Sequence, residues 1–136
     1  MMILSVLFVV SCKKDEAVSP EVKFNVTLNS AMEVPTNTST ATGSFVGTYN
    51  KTTKIISYTI NYNGMTPTAW HIHKGAVGVS GGVIFNLGTT FNTAYSATTM
   101  ALTTEQETDL MAGNYYINIH SVSKPGGEIR GQLILQ

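Results

Sequence analysis

Three histidines carry most of the chemistry open to this sequence. His71 and His73 stand two apart in Ala69-Trp70-His71-Ile72-His73. In an extended strand, residues at i and i+2 project from one face, so the two imidazoles lie side by side while Trp70 and Ile72 turn the other way. His120 sits in Tyr115 to Val122, where the same counting sends Tyr115, Ile117 and Ile119 to the core and Tyr116, Asn118 and His120 to the opposite face. In Glu128 to Leu135 it sends Ile129, Leu133 and Leu135 inward and Glu128, Arg130 and Gln132 outward. With these three strands as neighbours, His71, His73, His120, Asn118, Glu128 and Arg130 form one outward polar patch. Two strand histidines plus a third from elsewhere are a ligand set for zinc or copper, which take imidazole nitrogens at about 2.0–2.1 Å and leave a fourth position open. The same groups also suit a purely structural network, with the imidazoles and Asn118 bonded to loop backbone, Glu128 and Arg130 and no ion present. Both readings stand at this point.

Other catalytic templates are missing. The sequence has no G-x-S-x-G elbow, and its only aspartates are Asp15 and Asp109, which leaves no serine-type triad. No spacing among Glu33, Glu105, Glu107 and Glu128 singles out a carboxylate pair for glycoside hydrolysis. The glycine-rich run from Gly75 to Gly82 lacks the lysine and following helix of a phosphate loop, and reads as a flexible turn beside the histidine pair.

The elements that must position the histidines are strands. Beyond the N-terminus the hydrophobic period is two: Phe24, Val26 and Leu28 alternate with polar residues, as do Phe45, Gly47 and Tyr49, and Ile56, Tyr58, Ile60 and Tyr62. Further strands are expected at Thr68 to Lys74, Val83 to Leu87, Tyr115 to Val122 and Glu128 to Leu135, with turns at Asn50-Lys51-Thr52-Thr53, Asn63-Gly64 and Lys124-Pro125-Gly126-Gly127. One short helix is expected near 104–112, opened by a capping box of Thr104 and Glu107 and ended by Gly113. About eight short strands without βαβ alternation predict an all-β fold, an antiparallel Greek-key sandwich or barrel.

Composition sets the remaining bounds. The chain has 136 residues, enough for one domain. Its formal net charge is zero and only 12% of residues are charged, which excludes nucleic acid as a partner drawn by bulk electrostatics. A 43% hydrophobic content is sufficient for a folded core.

The N-terminus reads as an address. Residues 1–11, MMILSVLFVVS, would span only about 16 Å as a helix, too little for a bilayer core of about 30 Å. Val9-Val10-Ser11-Cys12 resembles a bacterial lipobox, which makes residues 1–11 a lipoprotein signal peptide and Cys12, the sole cysteine, the lipidated residue. Residues 12–21 then form a lipidated tether and 22–136 the domain. The expected location is the bacterial cell envelope, as an outer-membrane lipoprotein facing the periplasm or the surface, with the membrane as a partner through the Cys12 lipid.

Several motifs together resemble one family. Glu33-Val34-Pro35, Ala41-Thr42-Gly43, Trp70-His71-Ile72-His73 with Gly75 and Gly78, Gly113-Asn114-Tyr115-Tyr116-Ile117-Asn118-Ile119-His120 and Gly127-Glu128-Ile129-Arg130-Gly131 are similar, in order and spacing, to the CHRD domain. The resemblance implies an extracellular module with no established catalytic activity, an extracellular protein or polysaccharide as its class of ligand, and an immunoglobulin-like fold akin to that of Cu/Zn superoxide dismutases. Through that likeness His71-x-His73 is similar to a copper-ligand pair and Arg130 to an arginine that steers an anionic substrate. The zinc loop, bridging histidine and disulfide of those enzymes are absent, and a shared fold does not transfer an activity. Two functions follow as expectations. One is a lipid-anchored CHRD module that binds or scaffolds, and the other is a copper- or zinc-binding protein or oxidoreductase built on His71, His73 and His120.

Overall fold

In the computed structural model, residues 20–136 are described, so the signal-peptide reading, Cys12 and most of the tether lie outside the described residues. Strands β1 (Glu21–Asn29), β2 (Thr42–Asn50) and β3 (Ile55–Asn63) form an antiparallel meander. Their alternation works as expected: Phe24, Val26, Leu28, Phe45, Tyr49, Ile56, Tyr58 and Ile60 are buried on one face. The β2–β3 turn is set by Asn50, whose Oδ1 accepts from the backbone N–H groups of Thr52 and Thr53 at 2.9 and 3.0 Å. This side-chain mimicry of a backbone turn is characteristic of asparagine.

β4 (Pro67–Lys74), β5 (Val83–Asn86), β6 (Tyr95–Thr98), β7 (Tyr115–Ser121) and β8 (Ile129–Gln132) complete a single eight-stranded sheet in the order β5-β4-β7-β8-β1-β2-β3-β6. The all-β antiparallel class expected from the sequence is therefore what the chain adopts, as one curled sheet. The curl brings the two edge strands toward each other, so that Phe85 and Leu87 share a depression with Thr98. It also packs Trp70 of β4 against Tyr95 of β6, ring centroids 5.0 Å apart. Trp70 is fully buried and donates Nε1–H to the Leu87 carbonyl at 3.2 Å. Burying a side chain of this size contributes several kcal/mol, on the order of 3, and fixes the rotation of β4 that turns His71 and His73 away from the core.

Several sequence expectations shift. β6 was not foreseen, because Tyr95-Ser96-Ala97-Thr98 is short and only Tyr95 and Ala97 pack inward. The helix α1 (Thr104–Met111) begins one residue early: its capping box is Thr103 with Gln106, while Glu107 pairs instead with Lys54. Leu135 is 40% exposed: β8 ends at Gln132, and past it Leu133 still turns into the core but Leu135 does not.

The largest difference concerns the outward face. Tyr116, Asn118, Arg130 and Gln132 do point away from the core, yet all four are under 9% exposed. Residues 31–37, 75–82 and 123–127 fold over that side of β7 and β8, as their hydrogen bonds to Asn118, Arg130, Gln132, His120 and Glu128 show. Alternation specifies which face a residue occupies; loop cover decides whether that face meets water.

Candidate functional site: a trihistidine face and its neighbours

β4 and β7 pair directly, with His71 opposite Asn118, His73 opposite Tyr116 and His120 opposite Ala69. This register brings the three imidazoles together from the two strands. Ring centroids lie 5.5 Å apart for His71 and His73, 4.9 Å for His71 and His120, and 6.0 Å for His73 and His120. One nitrogen from each ring falls within 4.8 Å of the other two.

The hydrogen bonds fix which nitrogens point inward. His73 Nδ1 meets the Gly81 carbonyl at 2.9 Å and His120 Nδ1 meets the Pro125 carbonyl at 2.9 Å. A carbonyl only accepts, so both Nδ1 atoms carry hydrogen, and in the neutral rings both Nε2 atoms keep their lone pairs. His120 Nε2 lies 3.1 Å from His71 Nδ1. His73 Nε2 is buried and has no hydrogen-bond partner. Burial, and then the neighbouring imidazole of His120, pushes the pKa of His71 down. Burial also lowers that of His73, against the Gly81 hydrogen bond, with smaller contributions from His120 and Arg130. Both rings are thereby held in the neutral, lone-pair-bearing form.

Gly81 is where the loop comes closest. A Cβ there would lie 1.5 Å from the Lys74 carbonyl oxygen, so only glycine lets the chain deliver its carbonyl to His73. The loop expected to be a flexible turn is in fact tied down. Gln132 Nε2 donates to the Gly75 and Gly113 carbonyls at 2.8 Å each, and Arg130 Nη2 donates to the Ala76 and Val79 carbonyls at 3.2 and 2.9 Å. Tyr116 accepts from Gly81 N–H at 3.2 Å.

The other residues expected in the patch go elsewhere. Arg130, 2% exposed, lies with Cζ 3.4 Å from the Tyr116 ring centroid, and the ring stacks on His73 at 4.9 Å and 6°. It therefore sits one aromatic ring away from the histidines. Asn118 donates Nδ2–H to Glu33 Oε1 at 2.5 Å, and its buried Oδ1 has no partner. Glu128 Oε1 accepts from Ser39 Oγ at 2.6 Å and makes no hydrogen bond to a histidine. So the structure gathers His71, His73 and His120, places Arg130 and Asn118 behind them, and separates Glu128.

Two residues of this region were not singled out from sequence. Tyr116 was placed on the correct face without a role, although an aromatic in register with His73 is a signal for stacking. Glu33 is 6% exposed and its carboxyl is pushed up to about 7, by burial first, against the opposing pull of the Arg130 charge and a hydrogen bond from Val34 N–H. Its signal was an acid flanked by Met32 and Val34.

A family model, the CHRD domain, matches residues 24–133, which takes in every residue named in this site. Comparisons with curated proteins and with solved structures return no match.

Proposed function

The chain belongs to the CHRD-domain family, and from that premise we propose that it is a binding module of the bacterial cell envelope whose trihistidine face holds zinc or copper. The observation that carries this reading is the convergence of three imidazole nitrogens. Nitrogens bound at about 2.0–2.1 Å in a tetrahedral site lie roughly 3.3 Å apart. The 3.1 Å between His71 Nδ1 and His120 Nε2 is near that separation, and the third ligand atom is within 4.8 Å. A partnerless, buried His73 Nε2 costs free energy that a cation would recover. The carbonyls of Gly81 and Pro125 on the far nitrogens supply the outer hydrogen bonds that orient metal-binding histidines. A bound zinc or copper would supply a Lewis-acidic centre able to take one further donor, and an extracellular protein or polysaccharide is the class of ligand that such a module would present it to. His71, His73 and His120 would hold the ion, and Tyr116 would hold His73 in place by stacking.

Attachment to the envelope rests on the lipobox-like Val9-Val10-Ser11-Cys12, with lipid at Cys12 anchoring the domain in the outer membrane through the tether. Mass spectrometry of the native protein is expected to find acyl chains on Cys12, and Cys12→Ser is expected to release the protein from membranes. An unmodified Cys12 in membrane-extracted protein would remove the anchor.

The metal reading is tested by titrating purified full-length protein with zinc and with copper, followed by calorimetry and thermal melting. One equivalent is expected to bind and to raise Tm, with the effect abolished in His73→Ala and His120→Ala. Absence of saturable binding in a folded protein would leave the His71–His120 hydrogen bond as a structural contact only.

A further inference from the structure

On the other side of Tyr116 is a cavity of about 380 Å³, between the turn carrying Met32, Glu33 and Val34 and the loop carrying Val77, with Arg130 and Gln132 among its lining. Small-molecule sites are commonly of roughly this size, about 300–1,000 Å³. We propose that this cavity is a second binding site, separate from the trihistidine face, and that it takes a small monocarboxylate with an apolar body whose head group is received by Arg130.

Arg130 is the first reason. It is 2% exposed, yet among the described residues it has no carboxylate within 4.0 Å, and all of its hydrogen bonds leave from Nη2, to Ala76, Val79 and Gln132. Its Nε–H and Nη1 hydrogens are not used. The unused part of the fork belongs to a side chain that lines the cavity, and a carboxylate is the planar acceptor that fits it. Tyr116 covers one face of the guanidinium at 3.4 Å and the loop carbonyls hold Nη2, so the fork is already oriented and little entropy is lost on binding.

The walls give the rest of the ligand. Met32, Val34 and Val77 are 44%, 39% and 65% exposed, an apolar mouth over a charged floor. Ser80 Oγ donates to the Val34 carbonyl at 3.2 Å and joins the two walls, so the mouth is preformed. Arg130 is the single cation lining the cavity and Glu33 lines it too, which disfavours a dianion and admits a single negative charge. A lone carboxylate on an apolar body satisfies all three features.

The test uses the full-length protein and hexanoate as probe, with acetate and inorganic phosphate as comparators, followed by NMR of the backbone amides and the Arg130 Nε–H. Hexanoate is expected to bind saturably, moving Arg130 Nε–H together with Val77 and Gly78, at least tenfold more tightly than acetate or phosphate. Val77→Asp, at an exposed position that does not threaten the fold, is expected to weaken hexanoate about tenfold. Glu33→Gln, which removes the competing charge, is expected to tighten it severalfold. Shifts that leave Arg130 Nε–H still, equal binding of all three anions, or unchanged affinity in Val77→Asp would each overturn the proposal.

Discussion

The two faces of Tyr116 divide this end of the molecule into regions of opposite chemical demand. On one side, His73, His71 and His120 bring one ring nitrogen each to a common centre, with the unpartnered lone pair of His73 Nε2 among them, an arrangement suited to a cation. On the other, Arg130 offers hydrogens and a positive charge to a cavity with an apolar mouth. Both groups come from the same face of adjacent strands, by the same alternation. What separates them is where their other hydrogen bonds go. His73 and His120 spend Nδ1 on loop carbonyls and turn Nε2 toward the cluster; the guanidinium spends one amino group and keeps the rest. Which atoms are left over, more than residue type, sets what each region is able to receive.

The largest expected effect comes from removing the divider. Tyr116 is 4% exposed and packs against both His73 and Arg130, so Tyr116→Ala is expected to cost about 3–5 kcal/mol in denaturant unfolding and to weaken zinc and hexanoate together. Loss of only one of the two activities in a folded variant would show that the ring does not join the regions.

Gly127→Ala separates them. Gly127 has φ +132°, and a Cβ there would lie 2.3 Å from Asn118 Nδ2 and 2.7 Å from Glu33 Oε1. A destabilisation of roughly 2–3 kcal/mol is expected, felt by Glu33 and the hexanoate cavity. Thermal melting with each ligand checks this, the zinc-induced rise in Tm being retained if the histidine cluster is built independently.

Acid and base should also tell the regions apart. Glu33 has a folded-state pKa raised from its ordinary 4.5 to about 7, so its protonated form favours the fold, a contribution complete below pH 4.5 and lost as pH rises to about 7. His71 and His73 have values lowered from 6.5, so their contribution is complete above pH 6.5 and is lost as pH falls below it. Unfolding measured across pH 4–8 is expected to show these opposed slopes. Glu33→Gln is expected to remove the loss on the alkaline side, on the order of 2 kcal/mol, and to leave the acidic loss intact. An unaltered slope in Glu33→Gln would place the titrating group elsewhere. The smallest effect is expected of Tyr116→Phe, which keeps the stacking and loses the Gly81 hydrogen bonds, at about 1 kcal/mol.

Much of this architecture was legible in the sequence because alternation is a local signal. Trp70 and Ile72 against His71 and His73, or Ile117 and Ile119 against Asn118 and His120, need only the pleat to sort them. The meeting of the three histidines needed one more fact, the β4–β7 pairing, and that pairing is non-local: some 49 residues separate His71 from His120. The roles of Arg130, Glu33 and Glu128 were not legible for a different reason. They depend on how the turns after β1 and β4 fold back over the sheet, where single contacts such as Asn118 to Glu33 or Ser39 to Glu128 decide the outcome. Short β6 escaped because two inward residues carry too little periodicity.

The measurement that bears most directly on the trihistidine centre is a crystal structure of zinc-treated protein with anomalous data collected at the zinc edge. A single strong peak within about 2.0–2.1 Å of one nitrogen each of His71, His73 and His120, with the Nδ1 contacts to Gly81 and Pro125 kept, is the predicted result. Well-ordered imidazoles with no anomalous density between them, the 3.1 Å His71–His120 contact intact, would contradict it.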